Sequence, residues 1–211
     1  MIFTDDFNRA DGALGTSSDG QFTWTLAFGT VTQIVSNAWA AINIPAASSE
    51  ITVTDKDTQG ERIFVQARLL EFGRQPGTNL EVYLLCRVDP TFTSGYVWAM
   101  TQQPDDSYRA ILVSLYDNQS YLTPFFEGYV PVIGAMYKMT IDRQRVAVWV
   151  NDVCVASGDL TGQLVGDNTR FAGLAAAAND SADTNSCKWG DFSYGDLPAT
   201  ENPIYVLDGF Q

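Results

Sequence analysis

The residue types that could do chemistry here are few. The 211-residue chain contains no histidine, which removes the commonest general base, the Ser-His-Asp and Cys-His constellations and the commonest zinc ligand at once. Carboxylates remain, 25 Asp and Glu in all. Glycosidic hydrolysis by carboxylates needs an acid and a second carboxylate at a set separation. Glu81 stands alone on its run of alternating residues, and Glu71 precedes a glycine-containing loop. Asp55-Lys56-Asp57, Asp105-Asp106 and Asn179-Asp180-Ser181-Ala182-Asp183 are the candidates for calcium, which takes clustered carboxylate and carbonyl oxygens. None has a recognised loop spacing, and Asp, Asn and Gly in such stretches do ordinary turn work. No cofactor is expected, with calcium weakly supported. The three cysteines, Cys86, Cys154 and Cys187, are far apart and odd in number, so they make neither a disulfide framework nor a metal knuckle. Sugar binding asks for flat aromatic faces beside hydrogen-bonding partners, and Tyr96, Trp98, Tyr108, Tyr116 and Tyr121 are the candidates. Phe125-Phe126 is a further signal: adjacent side chains of a regular strand point to opposite faces, so one of the two is available to a partner.

The elements that position these residues read as strands. Ile63, Val65, Ala67 and Leu69 alternate with Phe64, Gln66, Arg68 and Leu70, and Leu80, Val82, Leu84, Cys86 and Val88 alternate with Glu81, Tyr83, Leu85 and Arg87. This is the period of a half-buried strand. The turn formers of residues 73–79 predict an antiparallel connection between these two runs. Further strands are predicted at 96–100, 108–116, 137–141 and 145–150. Val148-Trp149-Val150-Asn151-Asp152-Val153-Cys154-Val155 predicts a hairpin, because Asn and Asp tolerate the left-handed conformation of a two-residue turn. Gly173-Leu174-Ala175-Ala176-Ala177-Ala178 has helical propensity taken alone, but it follows Phe171 in a β series and is read as a strand. Ten or more strands without helical interludes predict an all-β, two-sheet antiparallel sandwich over residues 1–197. Residues 198–211, with Pro198 and Pro203, are expected to form an extended C-terminal arm.

Composition narrows the partners. Hydrophobic residues make up 45% of the chain, enough for a substantial core. The net charge of -13 opposes nucleic-acid and anionic-membrane binding. No basic and apolar leader opens the chain and no apolar run is long enough to span a bilayer, so synthesis in the cytoplasm without a signal peptide is expected.

The opening Asp5-Asp6-Phe7-Asn8-Arg9-Ala10-Asp11-Gly12-Ala13-Leu14-Gly15, followed by Trp24, resembles the start of concanavalin A-like (laminin-G-like) jelly-roll domains, of a kind frequent in tailed-bacteriophage structural proteins. Tyr137-Lys138-Met139-Thr140-Ile141, Val148 to Asp152, Phe171 to Leu174 and Trp189-Gly190-Asp191-Phe192 resemble the family's later succession. Read physically, Asp5-Asp6-Phe7 and Asp191-Phe192 are terminal strands paired side by side, with Phe7 and Phe192 inward and the acids near the rim, and Asp6 and Asp191 are minor candidates for a catalytic or metal role. Enzymes of the family carry an E-x-D-x-x-E strand, which this chain lacks, so it is not expected to be an enzyme. The resemblance, taken with the expected lack of export and the extended C-terminal arm, points to a virion structural protein, a minor tail or capsid-decorating component. Such a protein would be located in the virion and would bind other virion proteins, with host surface glycans as a second class of partner and a homo-oligomer left open. Its docking residues would be Phe125 and Phe126 together with Pro203, Ile204, Tyr205, Val206, Leu207 and Phe210 of the arm. The alternative is a stand-alone carbohydrate-binding module or lectin, and the third reading is a glycoside hydrolase of the same fold.

Overall fold

The computed structural model describes residues 1–30, 32–42, 44–45, 48–73, 79–115, 120–160, 170–178 and 186–198. Their strands form two eight-stranded antiparallel sheets. The first runs β14 (Val153–Asp159), β13 (Arg145–Val150), β12 (Met136–Asp142), β6 (Arg62–Gly73), β16 (Ser186–Asp196), β4 (Trp39–Ile42) and β3 (Thr32–Ile34), with β1 (Ile2–Asp5) also paired to β16. The second runs β10 (Ser120–Tyr121), β9 (Tyr108–Ser114), β8 (Tyr96–Gln102), β7 (Leu80–Val88), β15 (Phe171–Ala178), β5 (Ser48–Thr54) and β2 (Trp24–Phe28), with β11 (Phe126–Glu127) also paired to β9. The described elements are all β, and the two sheets make a sandwich.

Side-chain alternation sets the core. Ile63, Val65, Ala67 and Leu69 of β6 and Leu80, Val82 and Leu84 of β7 are buried in one cluster with Trp39, Trp98 and Trp189. Large inward residues from facing sheets interdigitate in this way when two sheets pack in parallel layers. The two runs that were expected to connect as an antiparallel pair do not pair: β6 hydrogen-bonds to β12 and β16, whereas β7 hydrogen-bonds to β8 and β15. The turn-rich stretch between them links the two sheets. Val88 also leaves the expected inward series. A bulge with Arg87 at positive φ inserts an extra residue, which turns Val88 to the second sheet's outer cluster.

Two local expectations hold. Asn151 and Asp152 have φ of 47° and 67°, so the β13–β14 hairpin closes through two left-handed residues. Phe171–Ala178 is a strand between β7 and β5. Its Gly173 lies so close to β5 that a Cβ there would stand 2.3 Å from the Thr52 carbonyl oxygen.

The terminal strands pair, with Asp5 opposite Phe192, and Phe7 and Phe192 are buried. Asp5, expected near the rim, is fully buried instead. Its carboxylate accepts both Arg9 Nη groups, at 2.6 and 3.0 Å, as well as Trp24 Nε1 at 2.8 Å and the Phe7 and Ser18 backbone amides. Five donors satisfy the oxygens of this buried carboxyl group.

Candidate functional site

The registers of the second sheet place a polar row across its outer face. Ser49 stands opposite Ala177, Ala177 opposite Glu81, Glu81 opposite Thr101, Thr101 opposite Arg109, and Arg109 opposite Glu127. Residues directly opposite in antiparallel strands share a face, so six strands contribute to one line. The next row is Ile51, Ala175, Tyr83, Ala99 and Ile111, and the one beyond it is Val53, Gly173, Leu85, Val97 and Val113. The face is therefore an aliphatic floor with a polar margin. A cavity of about 200 Å³ opens on it, bordered by Glu81, Tyr83, Thr101 and Arg109 and by the rings of Phe92 and Phe125.

Two contacts define the margin. The Arg109 guanidinium lies over the Phe125 ring, 4.4 Å from its centroid. No carboxylate pairs with Arg109 among the described residues, and its Nε is buried without an acceptor. The Tyr83 hydroxyl donates to the Glu81 carboxylate. Burial, and then the adjacent Glu81 charge, push the Tyr83 phenol well above its ordinary range, so Tyr83 remains a donor at any working pH.

A second depression, of about 440 Å³, is lined by Thr4, Asp6, Ser18, Asp19, Asp191 and Ser193. Its carboxylates are already engaged. Asp19 accepts from Thr4, Ser17 and Gln21, Asp6 accepts the Asn8 amide, and Asp191 pairs with Arg68 at 2.6 Å. No three carboxylate or cysteine groups are arranged to hold a metal ion among the described residues. Of the calcium candidates, Asp105 accepts from Ser107, Asp55 from Thr23 and Asp57 from Gln59, which is turn and loop closure. The stretch 179–183 lies outside the described residues. Burial pushes the Cys86 thiol up to about 12 and raises Cys187 and Cys154 as well. None is therefore an activated thiolate.

The aromatic candidates separate by strand phase. Tyr96 and Trp98 point inward and are fully buried in the core, so they cannot present rings to a ligand. The outward partners on the same strand are Val97, Ala99 and Thr101. Tyr108 is half-buried, with its ring 6.2 Å from Phe72. Tyr121 holds a register position opposite Val113, and Tyr116 lies outside the described residues. Phe126 packs against the main core and Phe125 against the outer cluster, the division that adjacent strand residues must make. Pro203, Ile204, Tyr205, Val206, Leu207 and Phe210 lie outside the described residues. The sequence reading did not single out Tyr83, Phe92, Thr101 or Arg109, and it weighed Glu81 only as an acid. The signal that joins them is cross-strand register, which no single segment carries.

No family model and no curated protein sequence matches the chain. Among solved structures, a carbohydrate-binding module (CBM66) from Bacillus subtilis superposes with a TM-score of 0.57 at 11% identity, covering 81% of this chain and 94% of that one. A prokaryotic β-1,3-1,4-glucanase (lichenase) derived from a mouse hindgut metagenome gives 0.56 at 11% identity, covering 93% and 100%. A legume lectin-like domain from Entamoeba histolytica gives 0.52 at 11% identity, covering 84% and 90%. The fold is thus the concanavalin A-like, lectin-like jelly roll, which these neighbours use both for binding and for catalysis.

Proposed function

We propose that the chain is a glycan-binding module that holds its ligand without cleaving it, on the outer face of the second sheet. The observation that carries this reading is the cavity bordered by Glu81, Tyr83, Thr101 and Arg109 beside the rings of Phe92 and Phe125. Hydroxyl-rich ligands are held by a few fixed donors and acceptors next to aromatic faces, and this margin offers both. The neighbours include a carbohydrate-binding module and a lectin-like domain, which supports the class of ligand.

Binding without hydrolysis is favoured by where the carboxylates stand. On the polar row, Glu81 and Glu127 are three strand spacings apart, with Thr101 and Arg109 between them. That puts their Cα atoms about 14 Å apart, beyond the separation that carboxylate pairs use in glycosidases. As for the virion role, Asp5, Phe7 and Arg9 of the opening run are taken up in closing the fold, and the arm that was expected to dock lies outside the described residues.

The test is a glycan array with the purified protein, followed by calorimetry on the best ligand. Phe125→Ala should weaken binding by about tenfold, the loss of one ring contact of about 1.4 kcal/mol, with a single cooperative melting transition retained. Affinity that is indifferent to Phe125→Ala, or an array without any bound glycan, would remove the reading.

A further inference from the structure

Arg109 is unusual in its surroundings. The chain carries 12 basic residues against 25 acidic ones, so a cation on its surface readily finds a carboxylate, and Arg62, Arg68 and Lys188 each have one. Arg109 has none among the described residues. Two carboxylates stand on its own row. Glu81 is two strands away and is engaged by the Tyr83 hydroxyl. Glu127 is opposite Arg109 on β11 yet exposed and unbridged to it.

Its Cζ lies 4.4 Å from the Phe125 ring centroid, a cation–π contact that engages the charge and leaves the five N–H donors to other partners. One of them, Nε, is already out of water with no acceptor. A buried donor left unpaired costs free energy that an incoming acceptor recovers. A guanidinium without a carboxylate partner matches an oxyanion, which it can bind through two parallel hydrogen bonds. Ser49, Thr101 and the Tyr83–Glu81 pair along the same margin are then left for uncharged hydroxyls.

Resting on the glycan-binding reading, we infer that the ligand is an acidic saccharide, with a uronate carboxylate or a sulfate group seated on Arg109. The global charge of -13 repels such a ligand at long range, so recognition is by contact at this one cation and not by steering. Arg109 therefore determines specificity for anionic over neutral sugar.

The experiment uses the full chain and two oligosaccharides of equal length, one bearing glucuronate and one its neutral glucose counterpart, with a sulfated form as a third probe. Calorimetry should give at least tenfold tighter binding of an acidic form. Arg109→Gln should lower the affinity for the acidic form by at least tenfold more than that for the neutral form, so that the preference disappears, and Arg109→Lys should restore part of it, all at wild-type melting temperature. Equal or tighter binding of the neutral form, or a preference that survives in Arg109→Gln, overturns the assignment of Arg109 and leaves the glycan reading standing. Failure of all three probes to bind at millimolar concentration overturns both.

Discussion

Asp5 shows what a single residue carries in this fold. Its carboxylate gathers Arg9 Nη1 and Nη2, Trp24 Nε1 and two backbone amides at a fully buried position. These groups come from the segment after β1 and from the start of β2, so one side chain at the end of β1 ties the N-terminal residues over the core. Phe7 and Trp24 stack beside it with centroids 5.9 Å apart, and Trp24 packs on Phe192 at 4.8 Å. Asp5→Ala would leave Arg9 Nη1 and the indole N–H without their acceptor, with Arg9 Nη2 keeping only the Leu14 carbonyl. Removing one partner of a buried pair typically costs about 3–5 kcal/mol. Urea unfolding should show that loss as a lower midpoint with an unchanged slope, and a loss below 1 kcal/mol would mean that water satisfies the donors equally well. The opening run Asp5 to Gly15 resembles a family signature, and its best-buried members are engaged in this clasp. That is a physical reason why the likeness speaks to fold before it speaks to function.

At the scale of elements, the hairpin is the sharpest case. Asn151 and Asp152 both lie at positive φ, and Asn151 also accepts the Met136 amide through Oδ1 at 3.0 Å. Asn151→Val puts a β-branched residue in that conformation, a strain of about 1–3 kcal/mol, and deletes the side-chain bond. A melting temperature several degrees lower is expected, and an unchanged one would show that the turn relaxes at no cost. This turn was legible because its signal is local: two β-branched runs around two residues that tolerate the left-handed region. The strand character of 171–178 was legible for a related reason, since neighbouring strands outweigh the helical propensity of alanine. Which sheet a strand joins was not legible. The segment between β6 and β7 has the composition of a hairpin loop, yet long-range packing sends the two strands to opposite sheets. The phase of β8 was hidden too. Alternation showed that Tyr96 and Trp98 share a face, but only the assembled sandwich shows that this face is the core. The candidate site was the least visible part, because Ser49, Glu81, Thr101, Arg109 and Glu127 meet through register across β5, β15, β7, β8, β9 and β11.

At the scale of the whole molecule, charge and burial pull stability in opposite directions with pH. The net charge of -13 sets carboxylates against one another at neutrality, and this self-repulsion relaxes as pH falls toward the isoelectric point of about 4.1. Specific carboxylates act the other way. Hydrogen bonding, first from the Asn8 amide, holds Asp6 below its ordinary value of 3.8. For Asp19, Asp89 and Asp196, burial pushes the value up, but hydrogen bonds from Ser17, from Thr91 and Thr93, and from the N-terminal amine respectively outweigh it. A carboxyl with a depressed folded value binds its proton more readily in the unfolded chain, so its contribution is fully present above 3.8 and is lost as pH drops through the folded value. With no histidine, no ordinary side chain titrates between pH 6 and 7. Melting temperature should therefore be flat from pH 7 to 6, rise slightly toward pH 5 to 4 as repulsion relaxes, and fall steeply below about 3.8 as these four aspartates protonate. Added salt should flatten the shallow rise, because it screens the diffuse repulsion, and should leave the acid limb largely in place, because short hydrogen-bonded contacts are screened less. A melting transition that instead shifts sharply between pH 6 and 7 would identify a titrating group outside this set and overturn the account.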